Sequence, residues 1–237
     1  MEKVAAIILS RIDSNRLPGK ALKKIGGKTL IQRTIDRVKA KNDFVPIIAT
    51  TNREIDKPLI NVAEENGILH FKGSLENVAK RVKDCIIHYG FEYFARLNAD
   101  SPFVPIELLD TAKNKIVNSK YDFITNLLPR TFPYGISVEM FNSKSFIQGM
   151  SYYNGINKYE EHISSYFYEN KENYNYLNLF NDNLKLEDEL SGLRLVVDTQ
   201  EDFNTLEKVY QFDNNLFDLS TQIIIKKFLH LKNNNKI

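Results

Sequence analysis

Arg11, Ser14, Arg16 and Lys20 follow closely on the first apolar run of this chain, with Pro18 and Gly19 among them. Such a cluster suits a polyphosphate. Guanidinium groups grip phosphate oxygens in pairs, an ammonium acts as a point charge, and a glycine turn lets backbone N–H groups come close. The run ahead of them, Val4 to Ser10, contains no Gly or Pro. It reads as a strand buried on both faces, the usual first strand of an α/β domain. In open α/β sheets, ligands bind in the crevice outside the carboxyl ends of the strands. The loop is therefore expected to hold a triphosphate, with a solvated basic turn as the alternative.

Three later segments place polar residues just after apolar runs. Arg96-Leu-Asn98-Ala-Asp100-Ser101-Pro102 puts Asp100 at the carboxyl end of an expected strand. Arg194-Leu-Val-Val-Asp198-Thr-Gln-Glu-Asp202 repeats that design around Asp198. Either aspartate could instead cap the helix that follows it. Gly73-Ser74-Leu-Glu-Asn77-Val-x-x-Arg81 reads as a turn into a helix with Ser74 as N-cap; Asn77 and Arg81 could also face a ligand.

Two well-known phosphate loops are excluded. No G-x-G-x-x-G follows the first strand, and the glycine that a Walker A loop ending in Gly27-Lys28-Thr29 needs at position 22 is Leu22. Gly26-Gly27 read instead as a turn, with Thr29 capping the next helix.

Strands are expected at 4–10, 45–50, 68–71, 93–97, 122–127, 136–141 and 193–197. Helical periodicity covers 29–41, 55–66, 75–88, 105–118, 143–150, 159–170, 200–211 and 219–231. Alternation of the two predicts an α/β fold, a Rossmann-like, mostly parallel sheet with helices on both faces. Residues 128–192, rich in Tyr, Asn and Phe, break this rhythm and are expected to be an inserted lid and dimerisation region within a single domain of residues 1–231. The aromatic stretch at 128–180 has too few regular apolar positions for a core of its own, which predicts a homodimer burying it. Residues 232–237 read as a disordered tail.

The 237 residues carry a formal net charge of +2, too little to draw nucleic acid by bulk electrostatics. The single cysteine, Cys85, excludes an intrachain disulfide and sits at the spacing of a buried helix face. No apolar stretch approaches the roughly 20 residues that span a bilayer, and no signal peptide is evident, so a soluble, cytoplasmic protein is expected.

Arg11-x-x-Ser14-x-Arg16-Leu17-Pro18-Gly19-Lys20-x-Leu22 resembles the N-terminal signature of the cytidylyltransferases that activate acidic sugars with CTP. These are the 3-deoxy-manno-octulosonate and acylneuraminate enzymes and, more closely, the SpsF-like branch associated with spore coat polysaccharide. The later segments match in the same order. The resemblance implies that Asp100 and Asp198 are ligands of a Mg²⁺ bridging the triphosphate, and that Arg11, Lys20, Asp100 and Asp198 are catalytic. It implies that Arg11, Ser14, Arg16, Gly19, Lys20, Ser74, Asn77, Arg81 and Asn98 bind the nucleotide. Pro133-Tyr134-Gly135-Ile-Ser137-Val-Glu139 resembles P-D-G-x-D-V-E, and Glu161-His162 resembles the end of R-E-H, which implies acceptor contacts for Glu139, Glu161 and His162. Tyr134 and Ser137 replace acidic residues, while Asn98 and Ser101 depart from R-x-T-G-D-C-P. The function implied is transfer of CMP from CTP to a sugar acid or phosphorylated acceptor, with release of pyrophosphate. Transfer from GTP or UTP, or a non-catalytic nucleotide-binding module, is the alternative. The two aspartates, if they share a metal, should approach within roughly 7 Å.

Overall fold

The computed structural model describes residues 4–41, 43–181, 190 and 192–237. The first strand, β1 (Val4–Leu9), is buried along its whole length. Its alternate residues face opposite ways: Val4, Ala6 and Ile8 join one apolar cluster, Ala5, Ile7 and Leu9 another. Such a strand is stable only in the middle of a sheet covered on both faces.

After a short hairpin, β2 (Lys24–Ile25) and β3 (Lys28–Thr29), the chain runs through α1 (Leu30–Lys39), β4 (Val45–Thr51), α2 (Lys57–Glu65), β5 (Leu69–Gly73), α3 (Val78–Tyr89), β6 (Tyr93–Asn98) and α4 (Ile106–Val117). Then come β7 (Phe123–Thr125), β8 (Glu139–Asn142), α5 (Ser143–Met150), α6 (Asn157–Glu161), α7 (Ser165–Glu169) and β9 (Tyr176–Asn178). The helices Gln200–Phe212 and Thr221–Asn233 close the fold. The main sheet has seven strands in the order β5-β4-β1-β6-β8-β7-β9. Only β8 runs against its neighbours, so the sheet is mostly parallel, as expected. Helices α1, α2 and α4 pack on one face, and α3, α5 and α7 on the other. Cys85 lies inside the second cluster, where burial pushes its thiol up to about 12, so it packs the core rather than reacting.

The strand order reverses at β1, between β4 and β6, which is where an open α/β sheet forms its ligand crevice. Thr29 caps α1 as expected, its hydroxyl accepting the Gln32 N–H. The hydroxyl of Ser74 accepts the Asn77 N–H, and Asn77 itself caps α3 through the Lys80 N–H, so α3 begins three residues later than its periodicity predicts.

Residues 128–192, of which 182–189 and 191 lie outside the described residues, supply β8 and β9 to the main sheet. Many aromatic residues of this stretch belong to the chain's own core: Tyr153, Phe167 and Phe132 are buried, with Tyr134, Tyr152 and Phe180 left exposed. Among the described residues the expected strand at 193–197 pairs with no strand, meeting Tyr134 at one bridge through Arg194. Its apolar alternation comes from Leu193, Leu195 and Val197 pointing into a C-terminal core cluster. The single helix expected at 159–170 is two short ones, which turn Ile163 inward. The last helix reaches Asn233, and Ile237 packs against the C-terminal cluster, inside the stretch read as a tail. Among the described residues no helix is long and apolar enough to cross a membrane.

Candidate active site

A cavity of about 670 Å³ opens at the carboxyl ends of β1 and β6. The register Leu9↔Asn98 ends both strands together, and the Ala99 N–H donates to the Leu9 carbonyl, so the loop after β1 lies against the loop after β6. Gly19 takes a left-handed φ of 68°, which reverses the chain and turns Lys20 inward.

The Lys20 Nζ lies 2.5 Å from Asp100 Oδ2 and 2.9 Å from Asp198 Oδ1. The two carboxylate oxygens are thus no farther apart than the sum of those contacts, about 5.4 Å, inside the expected separation. Burial opposes the Lys20 charge, but the two carboxylates outweigh it and raise the ammonium pKa above its ordinary value. Asp198 also meets Arg16 at 2.9 Å and Arg194 at 3.3 Å.

Neither aspartate caps a helix. Thr199 forms the capping box with Asp202 at the start of Gln200–Phe212, and Pro105 occupies the cap position of α4. The extended 193–197 segment positions Asp198 instead: the Val197 N–H donates to the Asp100 carbonyl at 2.9 Å, and the Leu195 N–H to Tyr134. Gly135, at φ 102°, allows that approach, since a Cβ there would lie 2.5 Å from the Leu195 backbone.

Arg11, Ser14, Arg16, Arg81 and Asn98 line the same cavity, as do Glu139, Glu161 and His162. Glu161 and His162 are exposed at its lip. Glu139 is buried on the floor; burial would raise its pKa, but the ion pair with Arg96 and a hydrogen bond from Tyr168 hold it below the usual carboxylate value. Gly19, Ser74 and Asn77 are not among the lining residues; Gly19 acts through backbone shape, and the two side chains are spent on turn and cap. Arg81 keeps Nη1 on the Ser74 carbonyl, and burial together with the charge of Arg11 lowers it to about 10.

Two lining arginines escape sequence reasoning. Arg96 was visible only as the first residue of the Asp100 segment. Arg130 stacks on Tyr134 at 5.3 Å, and Arg194 stacks on that ring at 4.8 Å. No motif spacing marks Arg130, and among the described residues no carboxylate pairs with it.

An α/β sheet whose switch point carries a cationic loop and two converging carboxylates has the layout of a nucleotide-binding crevice. The profile of the cytidylyltransferase family matches residues 5–227, and the chain belongs to that family. It is 28% identical over 232 residues to the spore coat polysaccharide biosynthesis protein SpsF of Bacillus subtilis, covering 95% of this chain and 93% of that one. It is 30% identical over 136 residues to the 3-deoxy-manno-octulosonate cytidylyltransferase of Francisella philomiragia, a match covering 55% of this chain and 52% of the other. A cytidylyltransferase structure from Leptospira borgpetersenii superposes with a TM-score of 0.87 at 27% identity, covering 99% of this chain and 96% of that one.

Proposed function

We propose that this chain transfers CMP from CTP to a small acidic acceptor, a sugar acid or a phosphorylated compound, and releases pyrophosphate. The observation that carries this reading is the convergence of Asp100 and Asp198 on Lys20 inside one cavity with Arg11, Arg16 and the acceptor-side residues. Arg11, Arg16 and Lys20 hold the triphosphate and neutralise the departing pyrophosphate. Ser14 donates to a phosphate oxygen, and Arg81 and Asn98 face the nucleoside. Glu139, fixed by Arg96 and Tyr168, with Glu161 and His162, orients the acceptor oxygen toward the α-phosphorus. Arg130, lacking a carboxylate partner among the described residues, favours an acceptor that carries negative charge.

The donor set suits Mg²⁺. Two carboxylates meet at one cationic point, and no group of three His, Cys, Asp or Glu gathers among the described residues. Mg²⁺ is typically held by one or two carboxylates, with phosphate oxygens and water completing its shell. Asp100 and Asp198 would hold it, and bound there it would neutralise charge on the reacting phosphate.

Pyrophosphate release should be measured with each of the four nucleoside triphosphates and Mg²⁺, against a panel of sugar acids and small phosphates. Turnover with CTP and an anionic acceptor is expected. Turnover only with GTP or UTP would overturn the choice of base, and none with any triphosphate would leave a binding module. A cytoplasmic homodimer completes the reading. Tyr152 and Ile156, exposed beside α6, are the apolar residues it would cover. Light scattering is expected to give twice the chain mass, and a monomer at high micromolar concentration would refute the pairing.

A further inference from the structure

Asp56 is completely buried and lies outside the cavity lining. It sits in the turn between β4 and α2, and neither carboxylate oxygen is idle. One accepts the Ile12 N–H at 2.8 Å. The other accepts the Thr51 hydroxyl and both Nε and Nη2 of Arg53, at 3.1 and 2.9 Å. Arg53 then forks onto Asp13 at 2.5 and 2.8 Å, and this bond holds the Asp13 carboxyl down at about 2.

Ile12 is the pivot of the cationic loop. Its carbonyl accepts the Ser14 N–H at 3.0 Å and the Gly19 N–H at 2.8 Å. Fixing Ile12 therefore fixes Arg11 and Ser14 on one side of the loop and Gly19 with Lys20 on the other. Asp13, gripped by Arg53, supplies a second anchor one residue away. The loop's cations are held from behind, by a carboxylate that is not among the residues lining the cavity.

We propose that Asp56, acting through Ile12 and through Arg53 to Asp13, is the positioning residue that sets the loop of Arg11 to Lys20 for a nucleoside triphosphate. The proposal rests on the nucleotide reading above and adds a residue to it. Its sign is diagnostic. Removing a negative charge near a polyphosphate site should tighten binding by simple electrostatics, whereas loss of positioning weakens it.

CTP affinity of wild type, Asp56→Asn and Asp56→Ala should be measured by calorimetry, with KM for CTP and for acceptor taken alongside. Asp56→Asn keeps an oxygen for the Ile12 N–H but loses the grip on Arg53, so about a threefold to tenfold weakening is expected. Asp56→Ala loses both arms, and a weakening beyond tenfold is expected, since small misplacements of binding groups cost up to about 10²-fold. Acceptor KM should stay within about twofold. Misfolded protein would lower the number of sites and apparent kcat while leaving Kd and KM unchanged, so a purely structural role is separable. If the alanine variant does not fold, the asparagine variant decides. CTP affinity equal to or tighter than wild type in the folded variants overturns this inference alone. A wild-type chain that binds none of the four triphosphates overturns the nucleotide reading together with it.

Discussion

Asp198→Asn is expected to lower kcat by at least roughly 10³-fold while leaving the chain folded. The carboxylate is 6% exposed and takes contacts from Lys20, Arg16 and Arg194, so it is the most heavily used anion of the site. An amide of the same shape keeps the packing but, being neutral, holds a hard cation far more weakly and cannot balance three positive groups. Folding should tolerate the change for a local reason. The Arg16 and Arg194 side chains are 62% and 44% exposed, so water takes over their solvation, and Lys20 retains Asp100. The capping box of Thr199 and Asp202, which starts the following helix, does not involve the Asp198 side chain. Steady-state kinetics with a thermal melt checks both halves. A variant with near wild-type kcat would remove Asp198 from the chemistry, and with it the carboxylate pair.

Much of this site was legible because strand ends announce it. Arg11, Lys20 and Asp100 follow runs with the composition of buried strands, and the sheet places both runs side by side. Asp198 was legible for a different reason than expected. The alternation Leu193, Leu195, Val197 has the pattern of a strand, yet it records burial in the C-terminal cluster and says nothing about hydrogen-bond partners. Ser74 and Asn77 are both good capping residues three positions apart, and local preference cannot rank them. The aromatic stretch shows helical spacing only in short pieces, and its rings pack by stacking, as between Phe146 and Phe167, which that spacing does not predict. Arg130 and Asp56 left no signature at all. Asp56 reaches its partner Ile12 across 44 residues, and Arg96 reaches Glu139 across 43. Contacts of that range exist only once the topology is known.

Lys20→Ala is expected to lower kcat/KM by roughly 10²–10³, the loss typical of one preorganised charge contact. Its effect on stability is the sharper test. A cation in an exposed loop would barely matter to folding, but Lys20 is only 13% exposed and separates two carboxylates. Because its folded pKa is raised, its contribution is fully present below the unfolded lysine value of about 10.4 and is lost as pH rises through the higher folded value. In the alanine variant the two carboxylates face each other without the ammonium between them, Asp100 losing its cation and Asp198 keeping only Arg16 and Arg194, and like charges that close are unfavourable. Tm should therefore drop relative to wild type at neutral pH. The same reasoning covers the metal. If Asp100 and Asp198 accept a divalent cation, added Mg²⁺ supplies the charge that the variant lacks and should raise its Tm more than that of wild type. Potassium at equal ionic strength separates this from general screening, which acts weakly on buried pairs. An alanine variant whose Tm does not respond to Mg²⁺ would mean that the two aspartates do not form a cation site, whatever the kinetics of Lys20.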